Sequence, residues 1–168
     1  MLPPRHLLPI EPLTAEAFRP YGEVIEAGAA ATQYAINRGN AVRYHDLARL
    51  DLGAEGGRPT LSLFRAKPQA LPLQLLVVER HPLGSQAFMP LGPHPYLVVV
   101  APPGTPPQPD ALRCFRARPG QGVNYSRGTW HHPLLALKGG DFPVIDRDGP
   151  PLPPNCDEHP LHGVWIEV

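Results

Sequence analysis

Two short stretches carry most of the residues that could do chemistry. The first is Glu79-Arg80-His81-Pro82-Leu83-Gly84-Ser85-Gln86-Ala87-Phe88. The second is Gly120-Gln121-Gly122-Val123-Asn124-Tyr125-Ser126-Arg127-Gly128-Thr129-Trp130-His131-His132-Pro133. Residues two apart on a strand share a face, so Glu79 and His81 project together if the first stretch is a strand. His131 closes a Gly-x-x-His turn-to-strand unit that begins at Gly128. Glu79, His81, Gln86 and His131, on strands of one barrel, could hold a divalent metal or a small polar acid. Imidazole and carboxylate are favoured ligands of divalent transition metals, and a neutral amide is a weak one. His132 points to the face opposite His131, and the motif favours His131 for the pocket.

Positively charged groups near β-like runs could grip a carboxylate with paired hydrogen bonds. Arg43, Arg65, Arg80 and Arg127 are the candidates, and Arg65 ends an apolar run at what would be its rim. Gln86, Tyr125 and His132 complete the set of candidate substrate contacts, beside Arg65 and Arg80. Cys156 has no adjacent histidine to act as its base, which reads as a structural thiol. There is no Gly-x-Ser-x-Gly, phosphate loop or dinucleotide fingerprint.

These residues need elements to hold them. Thr14 to Phe18 predicts a short helix with Thr14 as N-cap, stopped by Pro20 and Gly22. After it the pattern is β. Thr60-Leu-Ser-Leu-Phe-Arg65 alternates as a half-buried strand should. Further strands are expected at 43–47, 71–81, 86–90, 96–101, 112–118, 123–125, 130–137, 142–146 and 163–168. Short strands at turn-punctuated spacing, with little helix, suggest a sandwich or small barrel. The 25 prolines and 16 glycines lack a collagen period and fall between the apolar runs, as turn and edge punctuation.

At 168 residues the chain predicts one domain, 1–168, with room for a real core. Fifteen Lys+Arg balance fifteen Asp+Glu, so nothing suggests nucleic acid as a partner. No apolar run approaches the ~20 residues of a membrane span. No secretory signal is evident. The chain reads as cytoplasmic, and Cys114 and Cys156 as free thiols.

The spacing of the two stretches resembles the cupin pattern. Glu79, His81 and Gln86 stand where its first motif has two histidines and a glutamate, with the motif's last glycine displaced by one, to Gly92. Gly120, Ser126, Gly128 and His131 stand at the offsets of its second motif, with Ser126 in place of proline. More specifically, Arg43-Tyr-His-Asp-Leu-Ala48, the Glu79–Phe88 run, Gly122-Val-Asn-Tyr125, Trp130-His-His-Pro-Leu134, Ile145-Asp-Arg147 and Asn155-Cys-Asp157 resemble the ureidoglycolate lyase family in order, from about Leu13 to Asp157.

That resemblance implies a mainly β, cupin-type barrel, a jelly-roll-like double sheet with a short N-terminal helix. It implies a homodimer acting late in purine and allantoin breakdown, where (S)-ureidoglycolate is split into glyoxylate and urea. It also implies a divalent metal, nickel in particular, held by Glu79, His81, Gln86 and His131. The reaction needs a base and an acid, and Glu79, His81 and His131 are the candidates: Glu79 or His81 takes the hydroxyl proton and His131 supplies one to nitrogen. Gln86 orients the ureido group, and Arg65 or Arg80 holds the carboxylate. The alternatives are an amidohydrolase releasing ammonia and carbon dioxide from the same substrate, a metal-dependent cupin dioxygenase or isomerase, and a small-acid-binding cupin without catalysis.

Overall fold

A computed structural model describes residues 4–168. The strands in chain order are β1 (His6–Leu7), β2 (Ile10–Pro12), β3 (Gly22–Ile25), β4 (Thr32–Ile36), β5 (Ala41–His45), β6 (Arg58–Ala66) and β7 (Leu73–Arg80). They continue as β8 (Gln86–Phe88), β9 (Tyr96–Ala101), β10 (Arg113–Ala117), β11 (Gly122–Tyr125), β12 (Trp130–His131), β13 (Gly140–Asp148) and β14 (Asp157–Ile166). One α-helix, α1 (Ala15–Phe18), begins as expected: Thr14 Oγ1 accepts the N–H of Ala17 at 3.1 Å. Among the described residues no helix is long and apolar enough to cross a membrane.

Two sheets make the body. The larger runs β1-β14-β7-β12-β9-β10-β2 and the smaller β3-β11-β8-β13-β6, while β4 and β5 form a separate hairpin. Between the sheets lies a core of Phe18, Val98, Val100 and Phe115 on one side and Phe88, Val123, Tyr125 and Val144 on the other. This is the mainly β, cupin-like double sheet, and its helix content is minimal.

Strand β9 shows why the composition gives this arrangement. Tyr96, Val98 and Val100 enter the inter-sheet core, while Leu97, Val99 and Ala101 join a second cluster with Leu75, Trp130, Val164 and Ile166. A strand covered on both faces reads as an unbroken apolar run rather than an alternation. Each fully buried valine or leucine is worth roughly 1.5–3 kcal/mol over an exposed one.

The elements depart from the sequence expectation in three places. The strand expected over 130–137 ends at His131, and beyond Pro133 only Leu135 makes an isolated bridge, to Leu97. Strands β1 to β4 went unseen because they are short or, in β4, largely exposed, and so carry little pattern. The last strand begins earlier, at Asp157, and a register shift between Pro160 and Val164 obscures its period.

Both thiols are free: Cys114 is buried and Cys156 exposed. Burial pushes the Cys114 thiol up to about 12, which removes its thiolate near neutrality. A disulfide reagent at mildly alkaline pH should therefore titrate one thiol per native chain, Cys156, and a second only in denaturant. Two accessible thiols in the native protein would contradict this packing.

Candidate active site

The pairing of β7 with β12 sets Glu79 directly opposite His131. His131 in turn pairs with Val100, a core residue, so this face of the larger sheet looks inward. On the facing sheet, Gln86 of β8 pairs with Tyr125 of β11. His81 lies just past the end of β7. The turn before β12 is tied to it: the N–H of Gly128 donates to the His81 carbonyl at 2.9 Å, with Gly128 at φ +78°, where glycine is favoured. The two stretches singled out in the sequence thus meet, each giving one strand to either sheet: β7 and β12 to the larger, β8 and β11 to the smaller.

Ligand atoms of Glu79, His81 and His131 lie within 4.8 Å of one another. Glu79 Oε1 is 3.5 Å from His131 Nε2 and 3.9 Å from His81 Nε2. Gln86 Oε1 is 3.2 Å from His81 Nε2. Tyr125 stacks on His131, ring centroids 4.1 Å apart and 7° from parallel. That contact fixes the imidazole plane.

Hydrogen bonds on the far sides of the rings decide where the lone pairs point. His131 Nδ1 is 2.9 Å from the Thr129 carbonyl and His81 Nδ1 is 2.8 Å from the Asn155 carbonyl. A carbonyl only accepts, so each Nδ1 carries the hydrogen, and a neutral ring then turns a bare Nε2 toward the cluster. His131 Nε2 is buried and has no hydrogen-bond partner among the described residues. Burial lowers the pKa of His131, against the pull of Glu79, and so favours the neutral ring. When His131 takes up a second proton its Nε2–H faces Glu79 Oε1, and that hydrogen bond holds the Glu79 carboxyl below its ordinary value, while burial opposes the shift. The centre is therefore surrounded by a carboxylate, two imidazole nitrogens and an amide oxygen. An orphaned buried nitrogen among convergent acceptors fits a divalent cation.

The cluster lies between two cavities. One, of about 390 Å³, is lined by Glu79 with Phe64, Arg65, Lys67, Gln69 and Phe88 among others. The other, of about 380 Å³, is lined by His81 with Asp146, Arg147, Asn155 and Cys156 among others.

Other candidates lie elsewhere. Arg80 turns away from Glu79: it bonds Asp157 at 2.9 Å and the Gly104 carbonyl at 2.7 Å, and lies 4.7 Å over the Trp130 ring. The His132 ring bonds the Pro133 carbonyl at 2.7 Å, outside the cluster. Arg65 reaches the first cavity but is clamped by Asp141 at 2.8 and 3.0 Å. Arg127 pairs with Asp51, and Arg43 is exposed on β5. Cys156, read from the sequence as structural, has Sγ 3.9 Å from Glu79 Oε2.

Lys67, Asp146 and Asn155 were not singled out for a role. Asp146 and Asn155 do sit in two of the short runs that carry the family resemblance.

A model of the ureidoglycolate lyase family matches residues 5–167. The chain belongs to that family. Its relatives include a ureidoglycolate lyase of Burkholderia cepacia, 53% identical over 95% of this chain and 89% of that protein. One from Azotobacter vinelandii is 51% identical over 91% of each, and one from Stutzerimonas stutzeri 50% over 90% of this chain and 88% of that one. Among solved structures, a dTDP sugar isomerase of Desulfovibrio desulfuricans G20 aligns at a TM-score of 0.45 and 16% identity, over 84% of this chain and 86% of that one. That likeness is too slight to support an argument. Family membership covers the two sheets and every residue of the cluster.

Because the Glu79 carboxyl is held below its ordinary value of 4.5, its ionised form stabilises the fold above that pH, and the contribution fades as pH falls through the lower folded-state value. Melting temperatures followed downward through pH 4.5 in a chelator should fall more steeply for the unaltered chain than for Glu79→Gln. Parallel curves would mean that the carboxylate gains nothing from His131.

Proposed function

We propose that this chain splits ureidoglycolate into glyoxylate and urea, with Glu79, His81, Gln86 and His131 as its reaction centre. The observation that carries the proposal is the convergence of these four donors beside a cavity, in a chain whose relatives bear that enzyme's name. We place the reaction on the purine and allantoin route, with the (S)-isomer as substrate, in the cytoplasm, and read residues 1–168 as one domain.

The substrate carries a hydroxyl, a carboxylate and a ureido nitrogen on one carbon. The hydroxyl loses its proton, the C–N bond breaks, the oxygen becomes the aldehyde of glyoxylate, and the nitrogen gains a proton to leave as urea. No net proton is consumed. One base positioned between the two atoms can therefore carry the proton from oxygen to nitrogen. Glu79, ionised and with Oε2 turned away from the histidines, suits that task. His131, with no hydrogen on Nε2 while its ring is neutral, is less suited to begin as the acid that delivers a proton to nitrogen. Lys67 brings positive charge to the cavity for the carboxylate, while the charge of Arg65 is paired with Asp141. A divalent metal, nickel by family resemblance, would be held by Glu79, His81, Gln86 and His131 and would supply Lewis-acid polarisation of substrate oxygens.

We also propose a homodimer. Strand β6 is the outer strand of its sheet and exposes Leu61 and Leu63, an edge that natural proteins cover. Sedimentation should give twice the chain mass, and Leu61→Asp with Leu63→Asp should give the chain mass.

A carbon NMR time course on racemic ureidoglycolate tests the reaction. Urea and glyoxylate should appear together and stop with half the substrate left. Ammonia and carbon dioxide would instead mean an amidohydrolase, and no turnover with or without divalent metal would favour a binding protein. His81→Ala should lower kcat by at least about 10²-fold, and near-normal turnover would remove His81 from the centre.

A further inference from the structure

Nothing intrinsic to Gln86 makes its carbonyl oxygen, rather than its NH₂, face the centre, because the two ends of an amide are nearly the same size. Its other neighbour decides. Gln86 Nε2 lies 3.1 Å from Asp146 Oδ2. A carboxylate only accepts, so the amide must give Asp146 its NH₂ and turn Oε1 toward His81 Nε2, 3.2 Å away. His81 is oriented from its own far side by the Asn155 carbonyl, and the Asn155 side chain in turn accepts the N–H of Leu83 at 2.7 Å.

Gln86 is buried, 5% exposed, and has little freedom to find other partners. Asp146 stands behind it on β13, opposite Thr60 of β6, and lines the cavity on the His81 side of the cluster.

We propose that Asp146 is a positioning residue: by accepting a hydrogen of the Gln86 amide it turns the lone pairs of Gln86 Oε1 toward His81 and the centre. This rests on the reading of the cluster as a metal-holding reaction centre. A partner that orients a ligand from behind is commonly worth roughly 10–100-fold in metal affinity or activity.

The test is a cycle of four proteins: the unaltered chain, Asp146→Asn, Gln86→Ala and the double variant. Each is titrated calorimetrically with nickel(II) and manganese(II) and assayed for kcat on ureidoglycolate, with melting temperatures as a check of folding. Asparagine can donate as well as accept, so Asp146→Asn frees the amide to turn over.

The substitution should weaken metal binding by roughly 10–100-fold beside Gln86. It should change binding by less than about twofold once residue 86 is alanine, since nothing is left to position. Equal losses in both backgrounds, or no loss beside Gln86, would overturn the proposal. If the unaltered chain binds neither metal, the metal reading fails by itself and the cycle is judged in kcat. A loss confined to proteins that keep Gln86 then supports Asp146 as its positioner, and an equal loss overturns it. Should Asp146→Asn melt too low to assay, Asp146→Ser, whose hydroxyl also donates and accepts, replaces it.

Discussion

Acceptor atoms brought together repel unless a positive charge lies between them, and the centre of this molecule is built of such atoms. His81 Nε2 faces Gln86 Oε1 at 3.2 Å, and His131 Nε2 faces Glu79 Oε1 at 3.5 Å. Neither imidazole can relieve the crowding by changing tautomer, because each Nδ1 hydrogen is already committed to a backbone carbonyl; a second proton on the ring or a cation in the centre can. Around the buried His131 Nε2 such repulsion is felt more strongly than in solution. The fold holds the arrangement against this cost, and it gains when a positive charge occupies the centre.

What holds it is the pairing of two sheets. Glu79 and His131 are fixed across one ladder, and Gln86 and Tyr125 across another. The two ladders are kept face to face by an aromatic and aliphatic core, with Phe88 5.8 Å from the ring of Tyr125 and Tyr125 stacked on His131. A one-residue slip of β12 against β7 would carry His131 to the other face. The unbroken apolar run of β9 lies beside β12 and is buried on both sides. This makes such a slip costly in buried area as well as in hydrogen bonds.

Much of this was legible in the chain. The mainly β pattern and the Thr14 cap follow from periodicity, and the meeting of Glu79, His81, Gln86 and His131 from the resemblance of their spacing to the cupin pattern. Alternation also argued against Arg80: a residue next to Glu79 on a strand points to the opposite face, and Arg80 does so, over Trp130. Asp146 and Asn155 could not be assigned from spacing, since they lie 60 and 74 residues from the side chains they orient. Only sheet topology brings them there. Lys67 follows β6 and reaches the cavity through tertiary packing that no local pattern records.

The amide at position 86 also bears on the charge of the centre. A dication held by one carboxylate and three neutral donors would keep about one unit of positive charge, whereas a second carboxylate in place of Gln86 would cancel it. Binding of the metal would then be tighter, but the centre would no longer attract a substrate that is itself an anion. Asp146 places a carboxylate one amide further out, where it bonds the Gln86 NH₂ and not the ligand atoms themselves. An amide at this position would thus exchange metal affinity for attraction to a carboxylate substrate, with Lys67 adding to the same field from the adjoining cavity.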